Sequence, residues 1–109
     1  MEQSYFYKTE NFFQEQEVSL SERLSEIKWK IRAINQRMNE EIWRKSGKNK
    51  DKYEIGILVA SIVEPKLTDV ALQKAYGVYG VENVLLKMLT PGEFANLQRA
   101  VEEINGGRR

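Results

Sequence analysis

The spacing of apolar residues changes character at Asn35, and that change sets the fold class. Before it, Ile27, Trp29, Ile31 and Ala33 alternate with Lys28, Lys30 and Arg32, the period of two that a strand with one buried face requires. Upstream, Val18 and Leu20 stand two apart ahead of the polar stretch SERLSE, so the two segments read as a hairpin with a loop of several residues. Two strands alone are marginal in water and must pack on helices. After Asn35 the apolar patterns have helical spacing. The expectation is an α+β domain, mainly α, with an N-terminal β-hairpin followed by about five short helices.

Asn35 is a usable N-cap for a first helix with Met38, Ile42 and Trp43 on its apolar phase, broken by the basic, glycine-containing stretch SGKNKDK. Asp51, with Glu54 three residues on, opens a second helix. Its Ile55, Leu58, Val59, Ile62 and Val63 form one continuous stripe. Pro65 ends it, because the residue before a proline is pushed out of helical conformation. Thr68 or Asp69 caps a short helix through Leu72, Ala75 and Tyr76; Gly77 ends it in the left-handed conformation and lets Val78 fold back on Leu72. Val81, Val84, Leu85, Met88 and Leu89 make another stripe. Then come Thr90 as N-cap, Pro91 at the first helical position, Gly92, and Glu93 at the third. This is a capping box whose proline cannot continue the preceding helix. The last helix presents Phe94, Leu97, Val101 and Ile104. The predicted core comprises Trp29, Ile31, Leu58, Ile62, Leu72, Leu85, Leu89, Leu97 and Val101.

At 109 residues the chain supports one modest core. It divides into an aromatic-rich N-terminal tail at 1–17, a single domain at 18–106 and a C-terminal tail at 107–109. Histidine and cysteine are absent, which removes the usual general base, thiolate nucleophile and zinc ligands, so no enzyme, no metal site and no cofactor is expected. The adjacent pairs Glu40–Glu41 and Glu102–Glu103 diverge on a helix and read as solvated faces. The glycines of YGVYG at 76–80 follow no apolar strand and precede no Lys-Ser/Thr pair, so they read as helix punctuation and not as a phosphate loop.

Charge is uneven: residues 20–54 hold ten basic against six acidic side chains. Lys28, Lys30, Arg32 and GKNKDK, with Trp29 nearby, raise an alternative, a small nucleic-acid-binding regulatory protein using the basic segment 28–52. Trp29 lies on the apolar phase of its strand, which favours a core tryptophan with solvated lysines opposite. No apolar run approaches the ~20 residues of a membrane span, and MEQSYFYKTE has no secretion-signal pattern. A cytoplasmic protein is expected. The first thirteen residues hold Tyr5, Phe6, Tyr7, Phe12 and Phe13, five of eleven aromatics in the chain. Such density suits either a cover on the domain or a contact for a partner.

One ordered set of residues has a further meaning. A helix stop at Pro65 is followed by Asp69, the pair Leu72-Gln73, Tyr76-Gly77-Val78, the run Leu85-Leu86-Lys87-Met88-Leu89, Pro91-Gly92-Glu93-Phe94 and Ile104-Asn105-Gly106. In this order the chain resembles the tail assembly chaperones of siphophage- and myophage-like elements typified by the XkdN protein of the PBSX prophage. With the strand IKWKIRAI the resemblance covers residues 18–106; residues 1–17 carry no part of it. The closing GRR departs from the aromatic expected after Ile-Asn-Gly.

The resemblance implies a non-enzymatic assembly factor that binds and shields the tape measure protein until tail tube polymerisation. It implies action in the bacterial host cytoplasm and absence from the mature virion. The tape measure protein is the implied partner, with the tail tube protein and self-association as further options; neither membrane nor nucleic acid is expected. Helix packing takes up Leu58, Ile62, Leu85 and Leu89. The expected client-binding residues are therefore Tyr79 and Leu86 by position, and Tyr5, Phe6, Tyr7, Phe12 and Phe13 by aromatic density.

Overall fold

The structure is a computed structural model and describes residues 14–106. Tyr5, Phe6, Tyr7, Phe12 and Phe13 lie outside the described residues. Within them, three short strands, β1 (Gln16–Val18), β2 (Trp29–Ile31) and β3 (Ile62–Glu64), form an antiparallel sheet in the order β1-β2-β3. Five helices accompany it: α1 (Gln36–Lys45), α2 (Lys50–Ser61), α3 (Val70–Ala75), α4 (Val81–Met88) and α5 (Pro91–Ile104).

The hairpin pairs Gln16 with Ile31 and Val18 with Trp29. In β2 the period of two is realised, with Trp29 and Ile31 fully buried and Lys30 partly exposed between them. Leu20 does not extend β1. It sits past the end of the strand and, with Leu24, plugs the connecting loop into the core. Burying an aliphatic side chain of this size contributes about 1.5–3 kcal/mol, which is how a loop of polar composition is held in place.

Helix α1 starts as expected, with the Asn35 side chain accepting from the Met38 N–H at 2.9 Å. Helix α2 differs from expectation at both ends. Its N-cap is Asn49, which accepts from the Lys52 N–H at 3.0 Å, while Asp51 occupies the first turn; there the carboxylate complements the helix dipole. At the other end the helix stops at Ser61, and Ile62–Glu64 become β3. Pro65 therefore follows a strand and does not itself end the helix. The third strand satisfies the open edge of β2, with Ile62 opposite Ile31 and Glu64 opposite Lys30. Its β-branched Ile62 and Val63 suit a pleated surface.

Asp69 caps α3 by accepting from the Ala71 N–H at 2.9 Å, and Gly77 leaves the helix at φ +70, a conformation that costs a glycine nothing. The core gathers Trp29, Ile31, Leu58, Leu85, Leu97 and Val101 from the predicted set, joined by Leu24, Leu67, Val84 and Met88. Ile62, Leu72 and Leu89 are half-buried and pack against it. Helices α1 and α2 come close at Gly56, where a Cβ would stand 2.6 Å from the Cγ2 of Ile42.

Candidate functional site

The corner between α4 and α5 is built from TPGE. Thr90 Oγ1 accepts from the Glu93 N–H at 3.3 Å, and Glu93 Oε1 accepts from the Thr90 N–H at 2.8 Å, so both halves of the capping box are made. Pro91 stands at the head of the helix, and Gly92 faces open space where a Cβ would be. The Glu93 side chain, 5% exposed, does more than cap. Arg23 grips it with Nη2 to Oε1 at 2.6 Å and Nε to Oε2 at 3.0 Å, and Ser21 Oγ donates to Oε2 at 2.6 Å. The same Nη2 also donates to the Met88 carbonyl at 2.8 Å.

These donors hold the Glu93 carboxyl at about 2, far below the usual carboxylate range; the Arg23 hydrogen bonds act most strongly, then Ser21, then the Thr90 N–H. The hydrogen bond to Glu93 in turn raises Arg23. A bidentate guanidinium–carboxylate pair is among the stronger polar contacts available to a protein. TPGE is thus a socket that locks the loop after β1 onto the helical half. Sequence reading found the capping box but missed Ser21 and Arg23, because nothing local to residue 21 or 23 points to a partner 70 or more positions away.

Two further polar side chains of the ordered set, Gln73 and Asn105, are engaged in the same way. Gln73 donates to the Leu67 carbonyl at 2.7 Å and accepts from the Gly80 N–H at 3.1 Å, closing the turns on both sides of α3. Asn105 accepts from the Ile34 N–H at 2.8 Å and donates to the Val101 carbonyl at 2.9 Å and to the buried Ser61 hydroxyl at 3.4 Å. The end of α5 is thereby fastened to the exits of β2 and α2. Among the described residues no group of His, Cys, Asp or Glu is arranged to hold a metal ion. These side chains are joints, and their chemistry is used inside the domain.

Among the described residues, the large apolar side chains that stay exposed are Trp43, Val70, Tyr79 and Leu86. Tyr79 is 81% and Leu86 51% exposed. Val84, Leu85 and Met88 turn inward from α4, which leaves Leu86 on the outer side. The Asn83 side chain donates to the Tyr79 carbonyl at 2.7 Å and fixes the turn from which that tyrosine projects. Trp43 was expected on the apolar phase of α1 and is instead 42% exposed, edge-on to Tyr53 with ring centroids 5.3 Å apart. Ile42 takes the inward position against Gly56, and the next residue on a helix points about 100° away. Trp29, at 1% exposure, offers no face on which a base could stack.

A family model described as phage XkdN-like tail assembly chaperone protein matches residues 4–107. The match begins well before residue 18, where the sequence resemblance starts, and so takes in the aromatic tail. Among solved structures, the crystal structure of the protein yqbn shares the fold with a TM-score of 0.77 at 25% identity, over 86% of each chain. No curated protein matches the chain. With nearly its whole length inside the family match, and with the ordered residues serving as the joints of one domain, this chain belongs to the XkdN-like phage tail assembly chaperones.

Proposed function

We propose that the protein is a non-enzymatic chaperone that binds the tape measure protein and shields it until tail tube subunits polymerise. The observation that supports this most directly is a contrast. Asp69, Gln73, Glu93 and Asn105 of the ordered set bond within the domain, while Tyr79 and Leu86 stand in solvent. A surface of this kind recognises an apolar helix and performs no reaction. Two exposed side chains per copy make a weak site, and weakness suits the task. Many copies along one long client hold it through avidity, yet each is displaced singly when the tube arrives. The aromatic residues Tyr5, Phe6, Tyr7, Phe12 and Phe13 complete the proposed contact. The protein acts in the host cytoplasm, on this reading, and is absent from the finished virion; no described helix is long and apolar enough to cross a membrane.

The test is co-expression with the tape measure protein, scored by client solubility and co-purification. Tyr79→Ser with Leu86→Glu, and separately deletion of residues 1–13, should leave melting unchanged while the client is lost. Full solubilisation by both variants would sink the proposal. Salt separates it from the nucleic-acid alternative: apolar burial tolerates moderate salt, whereas phosphate binding weakens steeply through counterion release.

A further inference from the structure

Trp43 stands half-exposed near the end of α1 and lines a shallow cavity of about 810 Å³ with Tyr53, Arg44, Gly47 and Lys48. Among the described residues, none that lines it comes from α4 or from the turn of Tyr79. The two rings meet at 88°, edge to face, and so form a corner. The Tyr53 hydroxyl donates to Asn39 Oδ1, and Asn39 Nδ2 donates to Gln36 Oε1 at 3.3 Å. The wall is thus bonded to itself, and the corner is set before any partner arrives.

The charges around it are not explained by folding. Between positions 44 and 52, Arg44, Lys45, Lys48, Lys50 and Lys52 are exposed against one acid, Asp51, in a chain whose net charge is only +1. No ion pair among the described residues involves any of the five. Arg44 and Lys45 suit the negative end of the α1 dipole. Lys50 and Lys52 do the reverse, standing in the first turn of α2, where the positive end of the dipole disfavours cations. Lys48 adopts φ +65, a left-handed conformation uncommon for a residue with a side chain. A negatively charged partner offsets what the helix end and the loop give up.

We propose that this corner is a docking site for an acidic protein segment, which seats one large apolar side chain against Trp43 and Tyr53 and sets flanking carboxylates against Arg44 and the lysines. Tryptophan, tyrosine and arginine are the residues that most often carry binding energy at an interface, and the sign of the rim selects the partner. Glu40 lines the same cavity. A peptide can place a neutral residue opposite it, whereas a nucleic acid carries a charge at every nucleotide. Perpendicular rings also offer no run of parallel faces on which successive bases stack.

Fluorescence anisotropy with the full chain tests this, using a labelled oligoglutamate peptide with one central phenylalanine. It should bind about tenfold more tightly, or better, than the same peptide with serine at the centre and than an oligolysine counterpart. Lys50→Glu with Lys52→Glu should weaken binding about tenfold or more while Tm does not fall, since both changes suit the dipole of α2. Trp43→Ser should weaken it to a similar extent. Tyr79→Ser with Leu86→Glu should leave the peptide affinity unchanged, and no client is present, so failure here and failure of the client reading are separate results. Absence of binding at millimolar peptide, equal affinity for the serine peptide, or indifference to the lysine reversal would each overturn the proposal. Tighter binding of an oligothymidylate of equal charge would overturn it by assigning the site to nucleic acid.

Discussion

Gly56→Ala sets two effects of known size against each other. Glycine inside a helix costs about 0.8–1 kcal/mol relative to alanine, so on propensity alone the substitution stabilises α2. Against this, the new Cβ would meet Ile42 Cγ2 at 2.6 Å, closer than carbon atoms approach without displacement. Ile42 is β-branched and confined in χ1 on a helix, so Cγ2 cannot swing aside and α1 itself must move. Overpacking of this kind costs about 1–3 kcal/mol. The expected net result is a loss of about 1 kcal/mol or somewhat more, a fall in Tm of about 4–8 °C for a domain near this size. Circular dichroism melts give Tm, and urea titration should show a lower midpoint at unchanged slope. The contact is isolated by a double-mutant cycle with Ile42→Leu, which removes Cγ2 while keeping volume. In that background Gly56→Ala should become neutral or stabilising. A rise in Tm from Gly56→Ala alone, or an identical cost in both backgrounds, would refute the claim that this glycine sets the α1–α2 distance.

Leu58, at 3% exposure among Trp29, Leu85 and Val101 in the core, should cost about 2–5 kcal/mol when truncated to alanine, read from denaturant unfolding. Thr90→Ala removes one half of the capping box and should cost about 1 kcal/mol without changing which partner is bound; an unaltered melting curve would count against that cap. The Glu93 carboxyl is lowered from 4.5 to about 2, so its contribution is fully present above pH 4.5 and is lost as pH falls from there toward 2. Glu93→Gln should lower Tm at neutral pH and flatten the decline of Tm between pH 4.5 and 2; a decline as steep as that of the unmodified protein would show that other carboxylates govern it.

Elements whose pattern and punctuation agree were legible in the sequence. Trp29 and Ile31 alternate with lysines and the strand follows; Asn35, Asp69 and Thr90 each precede a helix and cap it. Ile62 and Val63 fit a helical stripe equally well, and only the unpaired edge of β2, a tertiary fact, turns them into a strand. Asn49 and Asp51 are both good capping residues two positions apart, and composition gives no means of choosing between them. Of the proposed contact, the exposure of Tyr79 and Leu86 could be anticipated from their being off the stripe of α4. Ser21 and Arg23 could not, since the carboxylate they hold becomes their neighbour only after folding.

Three of the joints share a property that bears on how the chain is made. Asn96 donates to the Leu20 carbonyl, Glu93 receives Arg23, and Asn105 receives the Ile34 N–H, across separations of 76, 70 and 71 residues. Contacts so distant in sequence must be closed against a large loop entropy, and here all of them end on α5 or on Asn105, the residue that caps its C-terminus. During synthesis the N-terminal sheet and its loop leave the ribosome long before their partners exist. A nascent chain halted short of Glu93 has no carboxylate for Arg23, no donor for the Leu20 carbonyl and no acceptor for the Ile34 N–H, so the domain closes only once translation reaches its last helix.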